Sequence, residues 1–175
     1  MHEPRAFSNG LLMCAIVECL ALAIWIGGLV VIIAAVIPAV FNSFGMEPGG
    51  RFLTRVFDGY NRTVLVAMAA MGGAIAARAW TVQTEELSRA IAGRTETVLF
   101  GMMVLVASLI IFVLGPHSIT LQEEAFGTKD EQARKIAYDA FFRVHMAVRG
   151  LYILNLGLGV WLFIVKLKSF MRNAL

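Results

Sequence analysis

The chain has 175 residues, of which 59% are hydrophobic and only 15% charged, with a net charge of +3 and a mean hydropathy of +0.76. A soluble domain carries roughly 25% charged residues, so this composition excludes an ordinary soluble fold. The basic residues are scattered rather than clustered, which excludes a nucleic-acid-binding surface.

The opening ten residues, MHEPRAFSNG, are polar, and an unbroken apolar run follows. Cys19 to Phe41 carries no charge. At about 1.5 Å per residue, roughly 20 apolar residues cross the ~30 Å hydrocarbon core of a bilayer. The run is too long for a signal-peptide core and lacks a small-residue cleavage site, so it reads as an uncleaved first span. A first helix is expected from about Asn9 to Phe44. Glu18 lies inside its apolar part, where an ionised carboxylate needs a partner. Trp25, seven residues on, shares its face. Gly27 and Gly28 allow close helix contact. Pro38 lies near the far end, where a kink is tolerated. Cys14 and Cys19 are five residues apart, on different faces of a helix, and read as small apolar side chains.

Asn42 to Gly50 reads as the first connection, punctuated by Gly and Pro. In the following RFLTRVFDGYNR, Phe52, Leu53, Val56, Phe57 and Tyr60 take one side of a helix. Arg51, Arg55, Asp58 and Arg62 take the other. This is an amphipathic entry at headgroup level. The second span is expected over Thr63 to Val82. Its Ala69, Gly73 and Ala77 form a small-residue stripe suited to tight helix packing. Arg78 ends up near the same membrane face as Glu18, because the two helices run antiparallel, and a Glu18–Arg78 pair is expected. Snorkelling of Arg78 to the headgroups is the alternative.

Gln83 to Arg94 reads as a polar connection. Thr95 reads as the N-cap of a third helix, with Glu96 favourable in its first turn. That helix is expected over Thr97 to Leu114, ended by Gly115-Pro116, with Gly101, Ser108 and Gly115 as a packing stripe. His117 to Gly127 reads as a polar loop. Thr128 and Glu131 form a capping-box pattern. The fourth helix is therefore expected to start near Lys129, outside the membrane, and to reach about Lys166, some 57 Å in all.

Along this helix His145, Arg149, Tyr152, Asn155 and Gly159 share a face. Polar residues at membrane depth mark either a functional site or a structural hydrogen-bond network. His117 and His145 fall on the same membrane side and could together hold a haem iron or a copper ion, with Met146 as a soft neighbour. No phosphate loop, zinc motif or nucleophile–base set is visible.

The expected architecture is thus an all-α membrane protein, a four-helix antiparallel bundle forming one integral membrane domain over 1–175. Its spans fall at about 11–41, 63–82, 97–115 and 141–166, and helices 2 and 4 project on one side. Sidedness rests on basic residues. Seven lie on the side of the termini (Arg5, Arg78, Arg89, Arg94, Lys166, Lys168, Arg172) and seven on the other (Arg51, Arg55, Arg62, Lys129, Arg134, Lys135, Arg143). The terminal set is closer to the span ends, so the expectation is a bacterial-type inner (plasma) membrane with both termini cytoplasmic.

The run WIGGLVVIIAAVIPAVF, then GGRFLTRVFDGYNR, then FFRVHMAVRGLYILNL resembles the transmembrane protein 205-like family. Trp25, Gly27, Gly28, Pro38, Phe41, Phe57, Pro116, Phe142, His145 and Asn155 match its pattern, while Val148 replaces its serine. The first-span segment is also similar to the copper-resistance D membrane domain. It is more distantly similar to the four-helix bacterial protoporphyrinogen oxidase, which binds haem. That oxidase has a histidine in its first span where this chain has Glu18, which argues against the haem chemistry. The resemblance implies a stress- or metal-tolerance factor. Three readings follow: an accessory subunit packed against other membrane subunits or a second copy, a haem- or metal-binding protein using His145 and His117, and a small oligomeric transporter with the Glu18/Arg78 and His145/Arg149 polar sites as path markers.

Overall fold

The computed structural model describes residues 9–82 and 94–174. All but the shortest turns among them are helix: α1 (Asn9–Val31), a π turn (Ile32–Val36), α2 (Ile37–Phe44), α3 (Met46–Val82), α4 (Arg94–Leu109), a second π turn (Ile110–Leu114), α5 (Gly115–Gly127) and α6 (Glu131–Ala174). They make four continuous rods long and apolar enough to cross a membrane, Gly10–Phe44, Met46–Trp80, Arg94–Gly127 and Glu131–Ser169. The protein is an integral membrane four-helix bundle, as the composition requires.

The first connection is far shorter than its Gly and Pro content suggests. Asn42, Ser43 and Phe44 stay in α2, and the chain turns on Gly45 alone, at φ 75°. Only glycine adopts that backbone without strain. Pro48 sits in the first turn of α3, where its missing N–H costs nothing. Gly49 and Gly50 then lie inside α3 as contact points: a Cβ on Gly49 would stand 3.1 Å from the Phe41 ring, and one on Gly50 3.3 Å from Gln122 Nε2.

Gly115-Pro116 does not end the third helix, and His117 to Gly127 is helix rather than loop. A proline removes one N–H and clashes with the carbonyl four residues back. Here the preceding turn widens, so that Gly115 N–H bonds Ile110 O, five residues back. The first span solves Pro38 the same way, through Ile37 N–H to Ile32 O. In each case the helix bends and continues. The third span therefore projects from the membrane beside the second and fourth.

The fourth helix is capped by Asp130 and not by Thr128. Asp130 Oδ2 accepts the Ala133 N–H at 2.8 Å, while the Thr128 hydroxyl donates back to Glu124 O at 2.7 Å. Helix α6 accordingly begins at Glu131 and runs 44 residues. Thr95 is in the first turn of α4, which already starts at Arg94, so its expected capping role is lost. Most of the Gln83–Arg94 connection lies outside the described residues.

α1 packs on α3 and α6, and α6 also packs on α4 and α5. The core is built from one seam per rod. On α3 it is Tyr60, Val64, Ala67, Met71 and Ala74; on the first rod, Ala21, Leu22, Trp25 and Leu29 of α1 and Ile32 of the π turn. These fall at the alternating three- and four-residue steps of a helix face. The small stripe Ala69, Gly73 and Ala77 lies on the opposite, exposed side of α3, and a Cβ on Gly73 would meet nothing within 4 Å. Gly101 is likewise exposed, with nothing within 4 Å. The bundle's close approaches use other glycines. A Cβ on Gly28 would stand 3.2 Å from the Tyr60 ring, and one on Gly159 2.8 Å from Ile26 Cγ1 and 3.1 Å from Met103 Cε.

Gly115 gives a direct test of the π turn, because an added Cβ would stand 2.9 Å from the Ile110 carbonyl oxygen, a backbone atom. Gly115→Ala is expected to destabilise by about 1–3 kcal/mol through overpacking. Gly73→Ala is expected to be neutral or stabilising by up to about 1 kcal/mol through helix propensity. Thermal unfolding in detergent distinguishes the two.

Candidate functional site

Each of the four seams ends in a charge on the side of the bundle that holds the α3-to-α4 connection. Glu18 lies one turn before Leu22 on α1, and Arg78 one turn after Ala74 on α3. Glu96 lies two turns before Met103 on α4, and Lys166 one turn after Leu162 on α6. Because the apolar seams must face one axis, the charges are carried to the same axis.

They meet as a closed ring. Lys166 Nζ donates a short hydrogen bond to Glu18 Oε2 and reaches Glu96 Oε2 at 3.3 Å. Arg78 Nη1 stands 3.6 Å from Glu18 Oε2, and its Nη2 3.7 Å from Glu96 Oε2. Each carboxylate thus touches both cations, and each cation both carboxylates. The side chains of Glu18, Glu96 and Lys166 are 1%, 6% and 8% exposed, so no bulk water compensates these charges. Two negative and two positive groups leave the ring neutral, which is the condition for burying it. Glu18 Oε1 is buried with no hydrogen-bond partner among the described residues.

The Glu18–Arg78 pair is present, but it is half of a larger arrangement. Glu96 looks in the sequence like a favourable first-turn acid, and Lys166 like part of a terminal basic tail. Two signals pointed to them. One is the position of each at the end of an apolar seam. The other is a repeat: Glu18 precedes Ile32-Ile33 by 14 residues and Pro38 by 20, and Glu96 precedes Ile110-Ile111 by 14 and Pro116 by 20. The first and third spans share one spacing of acid, π turn and proline.

Next to the ring, Leu22, Met71, Met103 and Leu162, all 0% exposed, fill the axis. Beyond them lies a second polar level. Tyr60 OH donates to the Trp25 carbonyl at 2.9 Å, and Tyr152 OH donates to Asn61 Oδ1 at 2.9 Å. Asn155 Nδ2 donates to the Met103 carbonyl at 3.3 Å, while its Oδ1 is buried without a partner among the described residues. Tyr60, Asn61, Tyr152 and Asn155 line a cavity of about 10 Å³. That is room for about one water, and its polar lining suits one.

The expected polar face of the fourth helix therefore divides. Tyr152, Asn155 and Gly159 point into the bundle, whereas His145 and Arg149 are exposed. The His145 ring packs 5.4 Å from Phe141, and His117 is exposed on the neighbouring α5. Cys14 and Cys19 are free thiols, half-buried and exposed respectively.

Breaking the ring on one side should cost far more than breaking it symmetrically. Lys166→Met leaves an uncompensated buried carboxylate and is expected to lose about 3–5 kcal/mol of stability. Adding Glu18→Leu restores neutrality and leaves the Arg78–Glu96 pair, so the double variant should recover most of that loss. A double-mutant cycle on thermal unfolding in detergent measures the coupling.

No curated protein and no solved structure matches the chain. A family model does, over residues 20–126, which takes in most of the first span, the second and third spans, Arg78 and Glu96, and begins two residues after Glu18. It is an uncharacterised family, and the comparisons lend no support to the transmembrane protein 205-like or copper-resistance D resemblance. With that match covering more than half of its length, the chain belongs to the domain-of-unknown-function family DUF4149.

Proposed function

We propose that this protein is a membrane-embedded accessory subunit that works by docking its outer surface against another transmembrane helix, from a partner subunit or a second copy. The observation that carries this reading is the outward position of Ala69 and Gly73 on α3. Small residues let helix backbones approach closely, and in lipid such approach drives association. Among the described residues Ala69 and Gly73 are exposed, and a Cβ on Gly73 meets nothing within 4 Å. The filled axis supports the same reading over transport. Among the described residues the layer of Leu22, Met71, Met103 and Leu162 is fully buried across the axis, and the cavity lined by Tyr60, Asn61, Tyr152 and Asn155 has room for about 10 Å³.

Gly73→Leu tests it. The substitution meets nothing inside the bundle, so the protomer should keep its unfolding temperature. A native gel or crosslinking in mild detergent should show the wild type in a larger species and the variant reduced to the single chain. An unchanged mass in Gly73→Leu would overturn the proposal. So would a stoichiometric chromophore or metal in the purified protein that is lost in His145→Ala, since that supports the haem or metal reading.

We place the protein in a bacterial-type inner (plasma) membrane, and the charge ring bears on its orientation. Arg78 and Lys166 are committed to buried ion pairs, so they no longer act as cytoplasmic anchors. Five basic residues then remain on the terminal side against seven on the other. The positive-inside bias favours the side of α2, α5 and the start of α6 as cytoplasmic, opposite to the orientation expected from the closeness of the terminal basic residues to the span ends. A phosphatase fused to the C-terminus should be active and a fluorescent protein at the same position dark. The reverse pattern would restore cytoplasmic termini.

A further inference from the structure

The first and third rods share more than the spacing of acid, π turn and proline. Trp25, Leu29 and Ile32 lie 7, 11 and 14 residues after Glu18, and Met103, Ala107 and Ile110 lie 7, 11 and 14 after Glu96; all six are buried. In both rods the carbonyl seven residues after the acid accepts a side-chain hydrogen bond, Trp25 from Tyr60 and Met103 from Asn155. Each donor comes from the rod that follows in the chain. On the second and fourth rods, Arg78 and Lys166 each stand four residues after a buried apolar side chain, Ala74 and Leu162. Residues 9–82 and 94–174 are therefore two hairpins of one construction, each with an acid on its first rod and a base on its second. Parallel repeats of this kind are related by an axis along the membrane normal. The bends at Pro38 and Pro116 keep each hairpin together, because α2 stays on α3 and α5 on α6. Helix backbones approach most extensively within the hairpins and less between them, where α1 meets α6.

We infer that the bundle is a duplicated hairpin and that the charge ring is the latch between its halves, whose release opens the bundle at the ring end without unfolding either hairpin. The latch is the two sides of the ring that cross from one hairpin to the other: Lys166 with Glu18, and Arg78 with Glu96 at 3.7 Å. The other two sides, Glu18–Arg78 and Glu96–Lys166, lie within a hairpin. There an extensive apolar seam backs the ion pair, so the two rods stay packed without it. Between the hairpins less packing is shared, and the ion pairs carry a larger part of the contact. Packed bodies joined in this way move by discrete hinge or shear steps and do not deform continuously. Opening also has a gain of its own. Glu18 Oε1 is buried with no hydrogen-bond partner among the described residues, and water entering at the ring end satisfies it. The latch goes beyond the docking reading and uses no residue of the outer face of α3.

Distances between nitroxide labels in the full chain, on a Cys14→Ala and Cys19→Ala background, test the latch. Met13, Trp80 and Val98 are exposed and lie within five residues of Glu18, Arg78 and Glu96 respectively. Labels on Met13→Cys and Val98→Cys report the distance between hairpins, and labels on Met13→Cys and Trp80→Cys the distance within one. Glu18→Arg with Arg78→Glu keeps opposite charges together inside each hairpin but sets a cation beside Lys166 and a carboxylate beside Glu96. The distance between hairpins should then lengthen by about 5 Å or more, roughly half a helix diameter. The distance within the hairpin and the helical circular dichroism should keep their wild-type values. Adding Glu96→Lys and Lys166→Glu restores the alternation of charge around the ring and should return the distance between hairpins to the wild-type value, a rescue that misfolding cannot imitate. An unchanged distance between hairpins in the double variant, lengthening of both distances together, or no recovery in the fourfold variant would overturn the inference.

Discussion

The mutual neutralisation of Glu18, Arg78, Glu96 and Lys166 is the constraint on which the rest of the bundle depends. A charge turned inward at membrane depth is costly without a partner. Together they form a square of alternating charge with one member from each rod, so none can leave without exposing the others. In lipid the hydrophobic effect does not drive helices together, because the tails are as apolar as the side chains. Association must come from packing, hydrogen bonds and charge. The ring supplies the last of these at one end. The Tyr60–Trp25, Tyr152–Asn61 and Asn155–Met103 hydrogen bonds supply the second near the middle. Between the two levels the apolar seams only have to fill space.

The ring also fixes register. Sliding a rod by one residue would rotate its seam by about 100° and carry its charge away from the axis. The shared spacing of Glu18 and Pro38 in the first span and Glu96 and Pro116 in the third then has a mechanical meaning. Each span is anchored at its acidic end and bends at the same distance from that anchor. Beyond the bends α2 packs on α3, and α5 on α6.

Where sequence reasoning failed, the cause is physical. Gly and Pro were read as helix breakers at 42–50 and at 115–116, yet in the first stretch only Gly45 breaks the helix, and the third rod continues through the second. In water a proline that loses a helical hydrogen bond often ends the helix. At membrane depth no solvent is available to the freed groups, so the backbone widens into a π turn and re-bonds. Spacing alone shows that Ala69 and Gly73 share a face suited to close helix packing. It does not show which way that face points. The seam of Tyr60, Val64, Met71 and Ala74 outweighs them, since large side chains must fill the axis, and the stripe is turned outward. His145 and Arg149 were grouped with Tyr152 and Asn155 by the same logic, yet only the latter pair lies where another helix is close enough to cover it.

The sequence by itself determined the class of molecule. Four long apolar runs with few charges can only be membrane-spanning helices, because backbone polar groups in hydrocarbon must be satisfied within the helix. It also placed Glu18 and Arg78 on one membrane face and marked them as needing partners. Only the tertiary structure decided who those partners are. Glu96 and Lys166 lie 78 and 148 residues from Glu18 in the chain. A charge near the end of a span can as well reach the headgroups as turn inward, and no local pattern separates the two outcomes. The choice is made when all four apolar seams face one axis and carry the charges with them.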